Sequence, residues 1–402
     1  MAAFIPYGAY WSTPFVRWQG AFAHLHAMKF AAHVTGQALK DRKIDPQSFD
    51  YGAYGLTVPQ KSSFYGFPWF AAMVGAPQIS GPTINQACAT GTRLLATAAA
   101  EISMGAASCA LVVSGDRCSN GPHLVYPAPT APGGTADAEN WVLDNFSADP
   151  WAKCAMIDTA ENVARRDKIE TAEQHELVVC RYQQYEQALA DNSAFLKRFM
   201  TLPFDVPDAR FRKTVTSLEG DAGVTQSTPE GLAKLKPVKP DGTVTFGGQT
   251  HPADGVTGAV VVDSAERAAE IGTDAKVRVE IVSYAQGREE AGYMPAAPIK
   301  AAKLALERAG KSIGDMNAVK SHNPFAVNDI AFARAMDIDW ATMNDFGSSL
   351  IWGHPQGPTA LRSVIELIEQ LAIRGGGYGL FEGCAAGDSA MALVVKVSDQ
   401  GA

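Results

Sequence analysis

Apolar residues at Phe22, Leu25, Phe30, Val34 and Leu39 recur at near-helical spacing and are followed by Asp41-Arg42-Lys43, which predicts an amphipathic helix over 20–40. The stretch 92–104 is small on nearly every side, with Ala96, Ala98, Ala99 and Ala100 around Leu94, Leu95 and Ile102, and it stops at Gly105. A helix of that texture is buried all round. Directly after it, 109–114 reads as a continuous apolar strand ending in Gly115, the pattern of a strand covered on both faces. Turn, buried helix and buried strand together make an α/β unit. A similar order returns near the C-terminus, where an apolar-periodic helix over 363–372 stops at 374–377 and an apolar strand follows over 390–395. Two halves of related plan are expected, although no residue-level repeat is visible.

Between them, 119–248 has a different texture. It is Pro-rich at Pro122, Pro127, Pro129 and Pro132, then helical from Asp158 to Ala190, then irregular to Gly248, and it reads as an insertion. Strand character resumes over 256–263 and the second half's helices begin over 296–310. The expected division is 1–118 with 249–268 as the first half, 119–248 as the inserted domain and 269–402 as the second half.

Composition narrows the class. The chain has 402 residues, 47% hydrophobic and 19% charged, with 37 glycines and 23 prolines, which suits large buried cores with many turns and excludes disorder, collagen and coiled coil. A net charge of −8 offers no basic field, so nucleic acid is not an expected partner, and an anionic ligand must be held by local groups. The six cysteines show no C-x-x-C pair, so neither a zinc site nor a disulfide framework is expected. No bilayer-length apolar run, leader or targeting tail is visible, and the expectation is a cytoplasmic protein without a membrane partner.

Four short segments could carry chemistry. Asn85-Gln86-Ala87-Cys88-Ala89-Thr90-Gly91 sets a cysteine at the start of the buried helix, where the helix dipole favours a thiolate; a structural buried cysteine is the alternative. Gly353-His354-Pro355 presents a histidine in a loop before a helix, as a base or as a solvated turn residue. Cys384 lies among small residues in Glu382-Gly383-Cys384-Ala385-Ala386-Gly387, and Ser321-His322-Asn323-Pro324-Phe325 is a further polar loop. No one of them decides a function.

Taken in order, these segments resemble the thiolase family across nearly the whole chain. The segment 85–91 is similar to the family's nucleophile turn, 353–355 to its G-H-P loop, and Cys384 with Gly387 to its last cysteine loop. Residues 159–164, 228–237 and 241–245 resemble the family's loop domain, which holds coenzyme A. The resemblance implies a five-layer α/β/α/β/α fold with mixed sheets in two similar halves, a homodimer or homotetramer, coenzyme A as a substrate with no permanently bound cofactor, and no metal. It also implies ping-pong acyl transfer: Cys88 as nucleophile, His354 as its base, and Cys384 as acid or base at the α-carbon. One oxyanion hole would use His354 and a water held by His322, with Asn323 the weaker candidate for that place. The other would use the N–H groups of Cys88 and Ala386.

Departures from the family pattern suggest a reshaped acyl pocket. The final loop carries Ala386 where a glycine is usual, a donor that survives if its φ is negative. Ala155-Met156-Ile157 replaces H-M-G, and Gly248-Gln249-Thr250-His251 replaces a smaller stretch, with His251 adding bulk. Met156, Gly248, Thr250 and Phe325 are the expected acyl and pantetheine contacts, and Arg212, Lys213 and Lys234 the expected cations for coenzyme A. Aromatic residues crowd 51–70 and 126–151, as core, interface or the lining of a pocket for an aryl or branched acyl group. The expected activity is thiolytic cleavage of a 3-oxoacyl-CoA, or the reverse condensation, degradative and with a bulky acyl group. A biosynthetic acetoacetyl-CoA thiolase and a non-catalytic acyl-CoA-binding subunit are the alternatives. Cys384 argues against a decarboxylating ketosynthase, and a small zinc-ribbon and oligonucleotide-fold partner subunit is left open.

Overall fold

In the computed structural model, which describes residues 2–399, the first part of the chain contributes strands β1 (Ala3–Phe4), β2 (Tyr51–Gly55), β3 (Thr83–Ile84), β4 (Cys109–Arg117) and β5 (Ala253–Val262). The later part contributes β6 (Val277–Arg288), β7 (Ala318–His322), β8 (Gly376–Ala385) and β9 (Ser389–Asp399). Met1 and 400–402, the end of the tail read above for targeting signals, lie outside the described residues. The strands form one mixed sheet in the order β7-β8-β9-β6-β1-β5-β4-β2-β3, with two short strands, Tyr10–Ser12 and Val16–Arg17, also on β5. β2 is parallel to β3 and β4, and β7 is parallel to β8. The two-residue β1 joins the two parts, since Phe4 pairs with Val262 on one side and Glu280 on the other.

Seven helices matter here: α1 (Ala27–Asp41), α2 (Thr90–Ser103), α3 (Met156–Asp167), α4 (Thr171–Ser193), α5 (Ala297–Arg308), α6 (Ala326–Met336) and α7 (Gly357–Ile373). The period of two along a strand assigns them to layers. β4 turns Ala110 and Val112 into the core that contains Leu94, Leu95, Leu361 and Val364 of α2 and α7, and Leu111 and Val113 into the core under α1. β9 likewise turns Leu393 and Val395 toward α2 and α7, and Ala392 and Val394 toward α5 and α6. The result is α/β/α/β/α, with α2 and α7 as the middle layer. That explains why 92–104 is small on all sides. A Cβ on Gly91 would lie 2.4 Å from the Leu361 nitrogen, so only glycine lets the two central helices approach this closely.

Several boundaries differ from those the pattern predicts. The first helix begins at Ala27; residues 20–25 are turns, although Phe22 and Leu25 are buried. The helical run from 158 breaks at Lys168, whose φ of 53° ends α3 before α4 starts. The region read as irregular contains a hairpin, Phe204–Pro207 with Thr214–Leu218. Among the described residues no helix is long and apolar enough to cross a membrane.

Candidate active site

Cys88 sits in the 3-10 turn Ala87–Ala89 that leads from β3 into α2. Ala87 there has a φ of 45°, a strained value for a residue with a Cβ. The turn is held by side chains on either side: Asn85 Oδ1 accepts from the Ala87 N–H at 2.9 Å, and Thr90 Oγ1 accepts from Gln86 N–H at 2.8 Å while donating to Ala87 O at 2.7 Å. The backbone N–H groups of Ala386 and Cys88 point at the sulfur and favour the thiolate, but burial outweighs them and pushes the thiol up to about 12. The lowering expected from the helix dipole is therefore overruled by desolvation.

His354 Nε2 lies 3.0 Å from Cys88 Sγ, and its Nδ1 lies 2.6 Å from Thr359 Oγ1. A thiol that donates to Nε2 requires the tautomer with hydrogen on Nδ1, which Thr359 accepts. The loop is strapped to the neighbouring segment: His354 N–H donates to His251 O at 2.9 Å, and Ala253 N–H donates to His354 O at 3.2 Å. Gly353, with a φ of 98°, and Gln356, with a φ of 61°, turn the chain into α7. Burial, then the neighbouring His322 and His251, hold His354 well below the ordinary imidazole range. It is a neutral acceptor at rest.

His322, the last residue of β7, places its ring 4.2 Å from that of His354. Its Nδ1 lies 2.8 Å from Ser349 Oγ. The single Ser349 hydrogen is needed by Asn323 Oδ1 at 3.2 Å, so Nδ1 carries the ring hydrogen and Nε2 carries a lone pair. That Nε2 is buried without a protein partner, and burial lowers His322 to about 3. Asn323, the alternative for this place, is fully engaged elsewhere: its Nδ2 donates to Asp329 at 2.6 Å and its Oδ1 also accepts from Leu350 N–H at 3.1 Å. Cys384 is fully buried, accepts from Asn328 Nδ2 at 3.3 Å, and is raised well above its ordinary value by burial and then by Cys88. Ala386 keeps a negative φ, and Gly387 takes the positive one at 79°.

Cys88, His354 and Ala386 open on a cavity of about 480 Å³ whose wall includes Met156, Trp141, Phe146, Phe246 and Phe325. Thr250 also lines it, with Oγ1 donating to Ser349 O at 2.5 Å. Other expected contacts lie elsewhere. Gly248 is buried beside Gln174 rather than on the wall, and His251 packs behind Gly353, so it adds no bulk to the pocket. Arg212 and Lys213 are exposed in the hairpin turn, where Asp208 accepts from their N–H groups at 2.8 and 3.4 Å, and Lys234 is exposed beyond the helix Pro229–Leu232. None of these three lines the cavity. Of the aromatic residues, Trp141 and Phe146 reach the cavity wall, Tyr54, Phe67 and Phe70 are core, and Phe64, Tyr65 and Trp151 are exposed. One atom each from Cys88, His322 and His354 lies within 4.8 Å of the others.

The family model for the thiolase N-terminal domain matches residues 9–266, and that for the thiolase C-terminal domain matches 275–397. The chain belongs to the thiolase family. Over 96% of its length it is 29% identical to an acetyl-CoA acetyltransferase of Paracoccus denitrificans, covering 97% of that protein. It is 28% identical to the human mitochondrial 3-ketoacyl-CoA thiolase and to a beta-ketoadipyl-CoA thiolase of Pseudomonas knackmussii, in each case with 96% of both chains covered. The crystal structure of the human enzyme superposes with a TM-score of 0.88 at 25% identity, covering 99% of both chains. This thiolase is thus an acyltransferase acting on acyl-CoA. Motif reading missed Thr359, Ser349, Asn328 and Gln356, which touch the reactive side chains. Ser349, Gln356 and Thr359 lie within five residues of His354, a proximity that carried a local signal, whereas Asn328 meets Cys384 only through the fold.

Proposed function

We propose that this thiolase cleaves a 3-oxoacyl-CoA with coenzyme A, or runs the reverse condensation, through an acyl-enzyme on Cys88. The reading is carried by Cys88 Sγ lying 3.0 Å from His354 Nε2 at the cavity, with the Ala386 N–H aimed at the sulfur. A thiol pushed up to about 12 facing a neutral imidazole does not form an ion pair at rest. The proton therefore passes to His354 only with substrate in place, and the thiolate so formed attacks the 3-oxo carbonyl, moving the charge onto oxygen. Water on His322 Nε2 and the Cys88 and Ala386 N–H groups serve the successive oxyanions, each donor worth about 3 kcal/mol. Cys384 protonates the departing acetyl-CoA enolate, and coenzyme A then takes the acyl group from Cys88.

The domain division follows the same reading: 1–118 with 249–268 and 269–402 as the two halves, and 119–248 as the loop domain. Met156, Thr250 and Phe325 contact the substrate. Arg212, Lys213 and Lys234 remain coenzyme A candidates only for phosphates lying well outside the cavity. Trp141, Phe146, Phe246 and Phe325 around the cavity support an acyl group bulkier than acetoacetyl and a degradative role. Comparing kcat/KM for acetoacetyl-CoA and an aryl 3-oxoacyl-CoA tests this, with at least tenfold preference expected for the aryl substrate. Preference for acetoacetyl-CoA would instead support the biosynthetic reading.

A further inference from the structure

Gln356 is a polar residue of the cavity wall to which the mechanism gives no role. It follows the G-H-P loop, is 8% exposed and lines the cavity. Its backbone has φ 61° and ψ −108°, a conformation glycine adopts far more easily, yet the position carries a long amide. The strained turn is pinned by Gly357 N–H donating to Asp116 Oδ2 at 3.0 Å and Thr359 N–H donating to Gln356 O at 3.2 Å. At the N-cap of α7 its side chain makes no capping bond. It turns into the site instead, with Oε1 3.6 Å from Cys88 Sγ.

Two acceptors thus face one thiol hydrogen, His354 Nε2 at 3.0 Å and Gln356 Oε1 at 3.6 Å. Only one can receive it, and the nearer imidazole is the base. Once that hydrogen has gone to Nε2, a carbonyl oxygen facing a thiolate is repulsive. The other end of the same amide, with two hydrogens and no acceptor among the described residues, is attractive. We propose that the Gln356 carboxamide turns over as Cys88 ionises and donates an N–H to the thiolate, a third donor beside the Cys88 and Ala386 N–H groups. No bond is made or broken in this turn. The thiol proton goes to His354, and the amide keeps both hydrogens. The inference rests on Cys88 being the nucleophile, and it makes Gln356 a catalytic residue in contact with the reacting sulfur. A burial that pushes the thiol up to about 12 leaves room for such a donor to matter.

The test is Gln356→Met, similar in length and without donors, read by the iodoacetamide alkylation rate of Cys88 from pH 7 to 9, followed by peptide mass spectrometry. A hydrogen bond to a charged group corresponds to roughly a tenfold change in thiolate fraction. Alkylation in Gln356→Met is expected to slow about tenfold at every pH, and kcat to fall by a similar factor with KM for coenzyme A within about twofold. Gln356→Glu, which sets a negative charge beside the sulfur, is expected to slow alkylation further, and it keeps the test available if Gln356→Met does not fold. Unchanged alkylation in a folded variant overturns the proposal, including the case where kcat alone falls. Alkylation needs no turnover, so this outcome is separate from any failure of the thiolase reading, which a substrate panel reports.

Discussion

At the nucleophile, burial and a few N–H groups compete, and burial wins until substrate takes the charge. That makes the groups one bond behind the reactive atoms consequential. Thr359 fixes which nitrogen of His354 carries hydrogen, so Thr359→Val should lower kcat about tenfold, the worth of one strong hydrogen bond, with KM changed less than about twofold. Steady-state kinetics with circular dichroism as a folding control check it; an unchanged kcat would show that the Thr359 contact does not set the tautomer. Cys88, His354 and Cys384 were legible in the sequence because each sits in a short motif tied to a turn. Gln356 and Asn328 were not, since a glutamine or asparagine beside a motif carries no chemistry of its own until the fold brings it to within 3.6 Å of Cys88 or 3.3 Å of Cys384. Arg212, Lys213 and Lys234 were chosen as cations of the inserted domain, and neither charge nor domain says whether a side chain lines the cavity.

At the scale of elements, the site exists because α2 and α7 meet closely enough to bring the Cys88 turn against the His354 loop. Gly91 lies directly against the Leu361 backbone. Gly91→Ala drives a Cβ into Leu361 backbone and should destabilise the fold by about 1–3 kcal/mol, the usual range for overpacking, while also separating Cys88 from His354. Urea unfolding with kcat measured on the same sample reads both, and a variant matching the parent in each would remove Gly91 from the account. The sequence pattern found α2, α7, β4 and β9 but misplaced the start of α1. Phe22 and Leu25 are buried from turns, and periodicity reports burial rather than the backbone that achieves it.

For the whole molecule, neutral histidines buried at the meeting of the layers couple stability to acid. His322 has a folded value of about 3, against about 6.5 when unfolded. Between those values the unfolded chain binds more protons, so this contribution is complete above pH 6.5 and is lost as pH falls toward 3. Asp116 and Asp254, each raised to about 6 by burial, act in the opposite sense, since the folded state takes up their protons first as pH falls. The carboxyls are common to parent and variant, so His322→Gln isolates the histidine. From pH 7 to pH 5 the parent should lose about 2 kcal/mol more stability than His322→Gln. Equal losses in denaturant titrations at the two pH values would mean that His322 is already charged in the fold. Two related halves were legible because two strand–helix patterns recur, and the five layers were an implication of the family resemblance. The two-residue β1 that joins the two parts of the sheet was not, because Ala3 and Phe4 carry no period of their own.

The central claim is that Cys88 takes the acyl group as the carbon–carbon bond of the 3-oxoacyl-CoA breaks and passes it to the thiol of coenzyme A. Mixing the purified protein with a 3-oxoacyl-CoA in the absence of added coenzyme A, quenching in acid and weighing the peptides measures this directly. The account predicts an acyl adduct on the Cys88 peptide, its discharge as acyl-CoA when coenzyme A is added, and no adduct and no turnover in Cys88→Ala. An adduct on another residue, or full turnover in Cys88→Ala, would contradict it.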